Sequence, residues 1–344
     1  MPTFQILSLS GGGYRGLYTA HILEHIENRL GTPIADHIDL FAGTSIGGIM
    51  ALALAHRIPS STIKQKLIDH GPKIFATPIT QQTTGMRGCI RRALLIGKGL
   101  VGARYQVDAL QDLLVDIFGE RTIGHLKHRV LVPAINANTG GTRMFKTPHH
   151  ERLKTDFQLS IVDVALATSA APTYFPPHRV AGERYLDGGL VANDPALHAV
   201  HEAIQFVDNG NAVKLEDVKV LGIGTASPGA ALDENKKNPG FIGWGTSLFD
   251  VSINAQERMS ADMLSHWLGN KYTRLNKAVG AHNTENVALD LANRVSTDVL
   301  LATAEATIRE QVSEGLICSL KSHTPARPTF YHGPNANHVP IDAD

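Results

Sequence analysis

The stretch "HIDLFAGTSIGGIMALALAHR", residues 37–57, constrains the fold more than any other part of the chain. A short apolar run at 37–43 reads as a buried strand, and the apolar stretch from Ile46 reads as a buried helix. Only Gly43-Thr44-Ser45-Ile46-Gly47 joins them, a G-x-S-x-G pattern. A serine on so tight a strand-to-helix turn needs glycines on both sides, because any Cβ there collides with backbone. The helix N-terminus then aims free N–H groups and its dipole at the serine oxygen. An ordinary serine N-cap is the plain alternative for Ser45. A phosphate-binding P-loop fails, because Ile49 and Met50 follow Gly48 where that motif requires a lysine.

Upstream, "FQILSL" (4–9) is a second short apolar strand, and 14–31 has helical spacing of Leu17, Ala20, Ile22, Leu23, Ile26 and Leu30, with Gly31 as its C-cap. The order β-α-β-α predicts a mostly parallel sheet flanked by helices. Strands are expected at 129–137, 143–148, 184–189 and 218–226, with a helix at 160–172. After residue 226 the texture changes to a polar, glycine-rich loop. Helical patterns follow at roughly 250–268 and 286–321, and then a tail rich in Pro, Asn and His. The fold class expected is α/β with a C-terminal helical extension.

Between the first strand and its helix lies "GGGYRG", in which Gly11, Gly13 and Gly16 spell the dinucleotide fingerprint. A dinucleotide unit places an acid at the tip of its second strand to bind ribose. Here that strand ends Phe41-Ala42-Gly43 and runs into Ser45, with Asp39 inside it. The glycines are therefore better read as backbone donors for an oxyanion formed at Ser45, supplied by Gly11, Gly12 and Gly13. Arg15 either adds positive charge there or anchors the loop.

The serine needs a base. Asp187, followed by Gly188 and Gly189, ends a strand; it suits a carboxylate held where backbone packs tightly, and equally suits a turn aspartate. A Ser-His-Asp triad is the rival arrangement, with His198 and His201 as candidates. An elbow on only the second strand argues against it.

In the order "GGGYRG", "GTSIGG", "DGG", with "ATSAAPTYFPP" (167–177) before the aspartate, the chain resembles the patatin-like phospholipase family. The resemblance covers roughly residues 4–226. It implies a patatin-like fold and a lipid acyl hydrolase with a Ser–Asp dyad. Ser45 would be the nucleophile, Asp187 the base, and the glycine loop with Arg15 the oxyanion hole, with no metal and no cofactor. Gly16, Gly43, Gly47, Gly188 and Gly189 are the remaining motif glycines. On this reading 4–226 is the catalytic domain, and 227–344 is loop, helical extension and polar tail packed on it. Some bacterial members are anti-phage effectors switched on by cyclic nucleotides. A cyclic di- or oligonucleotide activator is thus an expected partner, and self-association is left open. A weakly catalytic binding or storage protein of the same fold is the alternative.

Charge adds one local feature. Acidic and basic residues balance at 32 each, which gives no argument for binding a nucleic-acid polymer. Yet no acidic residue occurs between Asp69 and Asp108, where Arg87, Arg91, Arg92, Lys98 and Arg104 lie. This basic insertion, about 70–107, is expected to be a flap facing anionic phospholipid, with a solvated loop as the alternative. Two cysteines, Cys89 and Cys318, and an N-terminus without a basic n-region point to the cytoplasm and to peripheral action at the inner membrane surface.

Overall fold

Every residue of β1 (Phe4–Leu9) is buried, as expected of a central strand covered on both faces. The structure is a computed structural model, which describes residues 3–76, 103–207, 213–227 and 247–337, with backbone alone at 247–249 and 281. The chain runs from β1 through α1 (Gly16–Leu30) to β2 (Leu40–Gly43), α2 (Ile46–Ala55) and α3 (Ser60–Ile74). There follow α4 (Asp108–Phe118), the hairpin β3 (Arg129–Asn136) and β4 (Thr142–Lys146), and α5 (Ile161–Thr168). A second hairpin, β5 (His178–Val180) and β6 (Glu183–Asp187), leads to α6 (Ala196–Phe206) and β7 (Val218–Ile223). The last elements are α7 (Ser247–Leu268), β8 (Tyr272–Leu275), α8 (Arg294–Gln311) and α9 (Glu314–Lys321).

The strands form one sheet in the order β5-β6-β3-β2-β1-β7-β8, with β4 also pairing β3. The pairs β1–β2, β2–β3, β1–β7 and β7–β8 are parallel. The pairs β3–β4, β3–β6 and β5–β6 are antiparallel. Leu9 lies in register with both Gly43 and Ile223, so the loops leaving β1, β2 and β7 meet at one edge. That edge, outside the carboxyl ends of parallel strands where the order reverses, is where open α/β sheets place their sites.

Alternate residues of the strands feed two cores. Leu7, Leu9, Phe41, Val130 and Val132 pack on one face with α1 to α5 and with α8 and α9. Ile6, Leu40, Ala42 and Leu131 pack on the other with α6 and the C-terminal half of α7. Helix α2 is buried from Gly47 to Ala55, which is why its sequence is apolar all round. Helix α1 ends on Gly31 at φ 74°, whose N–H returns to the Glu27 carbonyl.

The strands and helices expected from the sequence are present, with shifted ends, and three things differ. The region after 226, expected to be helical, also supplies a strand, β8, that extends the sheet parallel to β7. The helical pattern at 286–321 is two helices, broken at Val312-Ser313, where Ser313 Oγ accepts the Leu316 amide at 3.2 Å and caps α9. The three-residue β5 was not anticipated. Arg87, Arg91, Arg92 and Lys98 lie outside the described residues. Among the described residues no helix is long and apolar enough to cross a membrane.

Candidate active site

The elbow is built by close backbone approach. Ser45 is held at φ 54° and ψ −127°, a conformation that side-chain-bearing residues rarely adopt and that marks a functional constraint. Its amide donates to Thr168 Oγ1 at 3.0 Å, and Thr168 in turn donates to the Pro133 carbonyl at 2.6 Å. The Thr44 amide donates to the Leu9 carbonyl at 3.2 Å, fixing the elbow against the end of β1. A Cβ at Gly47 would overlap the Leu9 carbonyl oxygen, and one at Gly43 would overlap the Gly47 carbonyl oxygen. Gly16 lies against the Ile46 side chain, and Gly188 against the Pro133 carbonyl.

Asp187 closes β6, in register with Ala134 of β3, and is 2% exposed. Its Oδ1 accepts the Gly189 amide at 2.7 Å. Burial pushes its carboxyl up to about 7, against the opposing pull of the Gly189 amide and the nearby Ser45 side chain. That is the range in which a carboxylate works as a general base near neutrality.

The glycine loop faces Ser45 across the same cavity, with Gly12, Gly13, Ser45 and Asp187 all in its wall. Among the described residues the amides of Gly12 and Gly13 have no hydrogen-bond partner. Gly11, expected as a third donor, is not available: its amide donates to the Asn193 carbonyl at 3.1 Å. The Tyr14 amide is likewise engaged, by the Leu289 carbonyl at 2.8 Å. Gly13 sits at φ 57° directly under that carbonyl, so both its conformation and its neighbour require glycine.

Arg15, expected beside the oxyanion, does not line the cavity. Its side chain is 5% exposed, and burial lowers its pKa against the opposing charges of Glu257 and Asp250 on α7. Arg104, expected to face lipid, has its guanidinium engaged by Asp290 at 2.5 Å and over the Tyr174 ring. Tyr105 donates to the same carboxylate at 2.8 Å. His198 and His201 sit on α6, and neither lines the cavity.

From Ser45 the cavity wall is largely apolar. Ile46, Ile49, Met50 and Ala53 present one face of α2 to it, at i, i+3, i+4 and i+7. Ile63, Leu67 and Ile74 of α3 and Leu110, Leu113 and Ile117 of α4 add to the wall. Such a lining suits a hydrocarbon chain whose polar end lies near the serine. Sequence reasoning missed Thr168, Asn193 and Leu289, which act through contacts more than 100 residues away. It also missed Ile253 of α7, which joins the wall from beyond the apparent core.

The patatin-like phospholipase family model matches residues 7–200, more than half of the chain. The chain belongs to the patatin-like phospholipase family. Its membership carries with it the class of lipid hydrolases. It is similar to a protein of Pseudomonas aeruginosa named cGAMP-activated phospholipase. The two are 42% identical over 340 residues, covering 98% of this chain and 97% of the relative. Relatives of the same name from Vibrio cholerae and Escherichia coli are each 32% identical. They cover 90% and 95% of this chain, and 93% and 95% of their own lengths. The likeness therefore extends past the family model and through the C-terminal helices.

Proposed function

We propose that this patatin-like protein is a phospholipase A-type hydrolase that cleaves fatty acyl esters of membrane phospholipids, with Ser45 as nucleophile and Asp187 as base. The observation that carries the reading is Ser45 beside the buried Asp187 in one cavity wall, with the carboxyl pushed up to about 7. Ser45 Oγ attacks the ester carbonyl carbon while its proton passes to Asp187. The carbonyl oxygen becomes an oxyanion under the Gly12 and Gly13 amides, with the N-terminus of α2 adding its dipole. Collapse expels the lysophospholipid oxygen, which takes the proton from Asp187. Water then attacks the acyl-enzyme, giving its proton to Asp187. The fatty acid leaves, and Ser45 regains its proton. The apolar cavity holds the acyl chain throughout.

The near-full-length likeness to three proteins named cGAMP-activated phospholipase supports a second part of the reading. A cyclic dinucleotide switches the enzyme on, and it acts peripherally at the inner membrane surface in defence against phage. The test is phospholipid vesicle hydrolysis by wild type, Ser45→Ala and Asp187→Asn, each with and without cGAMP. Wild type hydrolyses with cGAMP, and both variants lose activity by at least about 10²-fold. Full activity in Ser45→Ala overturns the dyad. Equal wild-type activity with and without cGAMP overturns the switch.

A further inference from the structure

Gly11 is gripped at both ends of its backbone by one residue. Its N–H donates to the Asn193 carbonyl at 3.1 Å, and its carbonyl oxygen accepts Asn193 Nδ2 at 3.2 Å. The same carbonyl accepts Thr225 Oγ1 at 3.2 Å. Asn193 and Thr225 are 2% and 1% exposed, so these hydrogen bonds do not compete with bulk water. Asn193 Nδ2 is itself fixed by Glu257 Oε1 of α7 at 2.7 Å.

The consequence follows from peptide geometry. The Gly11 carbonyl and the Gly12 amide belong to one planar trans peptide, so they point in opposite directions. Holding the carbonyl against Asn193 and Thr225 fixes the Gly12 N–H on the other side of the peptide, and Gly12 lines the cavity that contains Ser45. Two donors on the carbonyl also polarise the amide and make its N–H a stronger donor.

We infer that Asn193 and Thr225 are positioning residues for the oxyanion hole, acting by clamping the Gly11–Gly12 peptide so that the Gly12 amide meets the transition-state oxygen. Glu257, which orients Asn193, comes from α7, outside the matched family region, so the C-terminal part of the chain takes part in catalytic geometry. The inference rests on the Ser45–Asp187 reading.

The test measures kcat and KM for phospholipid hydrolysis with cGAMP present, in wild type, Asn193→Ala, Thr225→Val and Thr225→Ser. Inhibition by an alkyl trifluoromethyl ketone, whose serine adduct carries an oxyanion, and binding of the free fatty acid are measured alongside. Asn193→Ala and Thr225→Val are expected to lower kcat about 10- to 100-fold with KM unchanged, a part of the loss seen when an oxyanion donor is removed outright. Ketone inhibition weakens in parallel, fatty acid binding stays within two-fold, and Thr225→Ser restores kcat. A purely structural role would depress ketone and fatty acid binding together, and that result overturns the inference. So does kcat within two-fold of wild type in both variants. Ser45→Ala in the same assay separates the outcomes: if it is inactive while the Asn193 and Thr225 variants match wild type, only the clamp is wrong. If Ser45→Ala is active, the dyad itself is wrong.

Discussion

Ser45 shares one cavity wall with Asp187, a carboxyl that is 2% exposed and, among the described residues, has no cationic partner. Burial is the dominant influence on that carboxyl and pushes it up to about 7. Several consequences can be measured.

Activity should depend on pH with a single ascending limb. The base must be deprotonated to accept the Ser45 proton, so kcat/KM rises as pH passes through about 7 and levels above it. A pH–rate profile on a soluble ester checks this. A flat profile from pH 5 to 9 contradicts it.

The same burial makes Asp187 costly to stability. The folded chain holds the Asp187 proton up to about pH 7, the unfolded chain only to about 3.8. Between those values the folded state binds more protons, so this group's contribution falls as pH rises. Asp187→Asn keeps the shape without the charge. It should be inactive yet raise Tm at pH 8, at roughly 2–4 °C per kcal/mol gained, with the gain shrinking toward pH 4. Thermal melts at the two pH values decide. A Tm lowered by Asp187→Asn at pH 8 goes against the account.

Chain-length preference should reside in α2. Ala53 lies eight residues beyond Ser45, about 12 Å along the helix, and lines the same wall. Ala53→Phe adds bulk there. It should cut kcat/KM for a palmitoyl ester roughly 10- to 200-fold while sparing an octanoyl ester. Equal losses on both esters contradict an acyl channel along this face.

The basic residues should divide by their partners. Arg104 is already paired with Asp290, so Arg104→Ala should cost no more than about 1 kcal/mol and leave vesicle binding nearly unchanged. Charge reversal of Arg91 and Arg92 should weaken sedimentation with anionic vesicles, at ~1 kcal/mol per residue. Unchanged binding in that double variant removes the lipid-facing role.

How much of this was legible in the sequence follows from the range of each interaction. The order of strands and helices, the Ser45 elbow and Asp187 were readable because each is encoded within a few residues. Buried runs, flanking glycines and a strand end carry that information. Which amides of the glycine loop stay free was not readable. Whether Gly11 or Gly12 offers a free amide is decided by Asn193 and Thr225, which lie 182 and 214 residues away in sequence. The direction of Arg15 was hidden for the same reason, since its opposing charges are on α7. Strand β8 escaped notice because "YTRL" is four residues long and only Leu275 in it is buried. Its Arg274 nonetheless pairs with the fully buried Asp194 at 2.8 Å, tying the last part of the sheet to the segment that follows Asp187.

The central claim is tested most directly by trapping the covalent intermediate. Wild type would be mixed with a phospholipid substrate and cGAMP, quenched in acid within the first turnovers, and digested for peptide mass mapping. The account predicts a fatty acyl adduct on the peptide containing Ser45, absent in Ser45→Ala. An acyl adduct on another residue, or undiminished hydrolysis by Ser45→Ala, would contradict it.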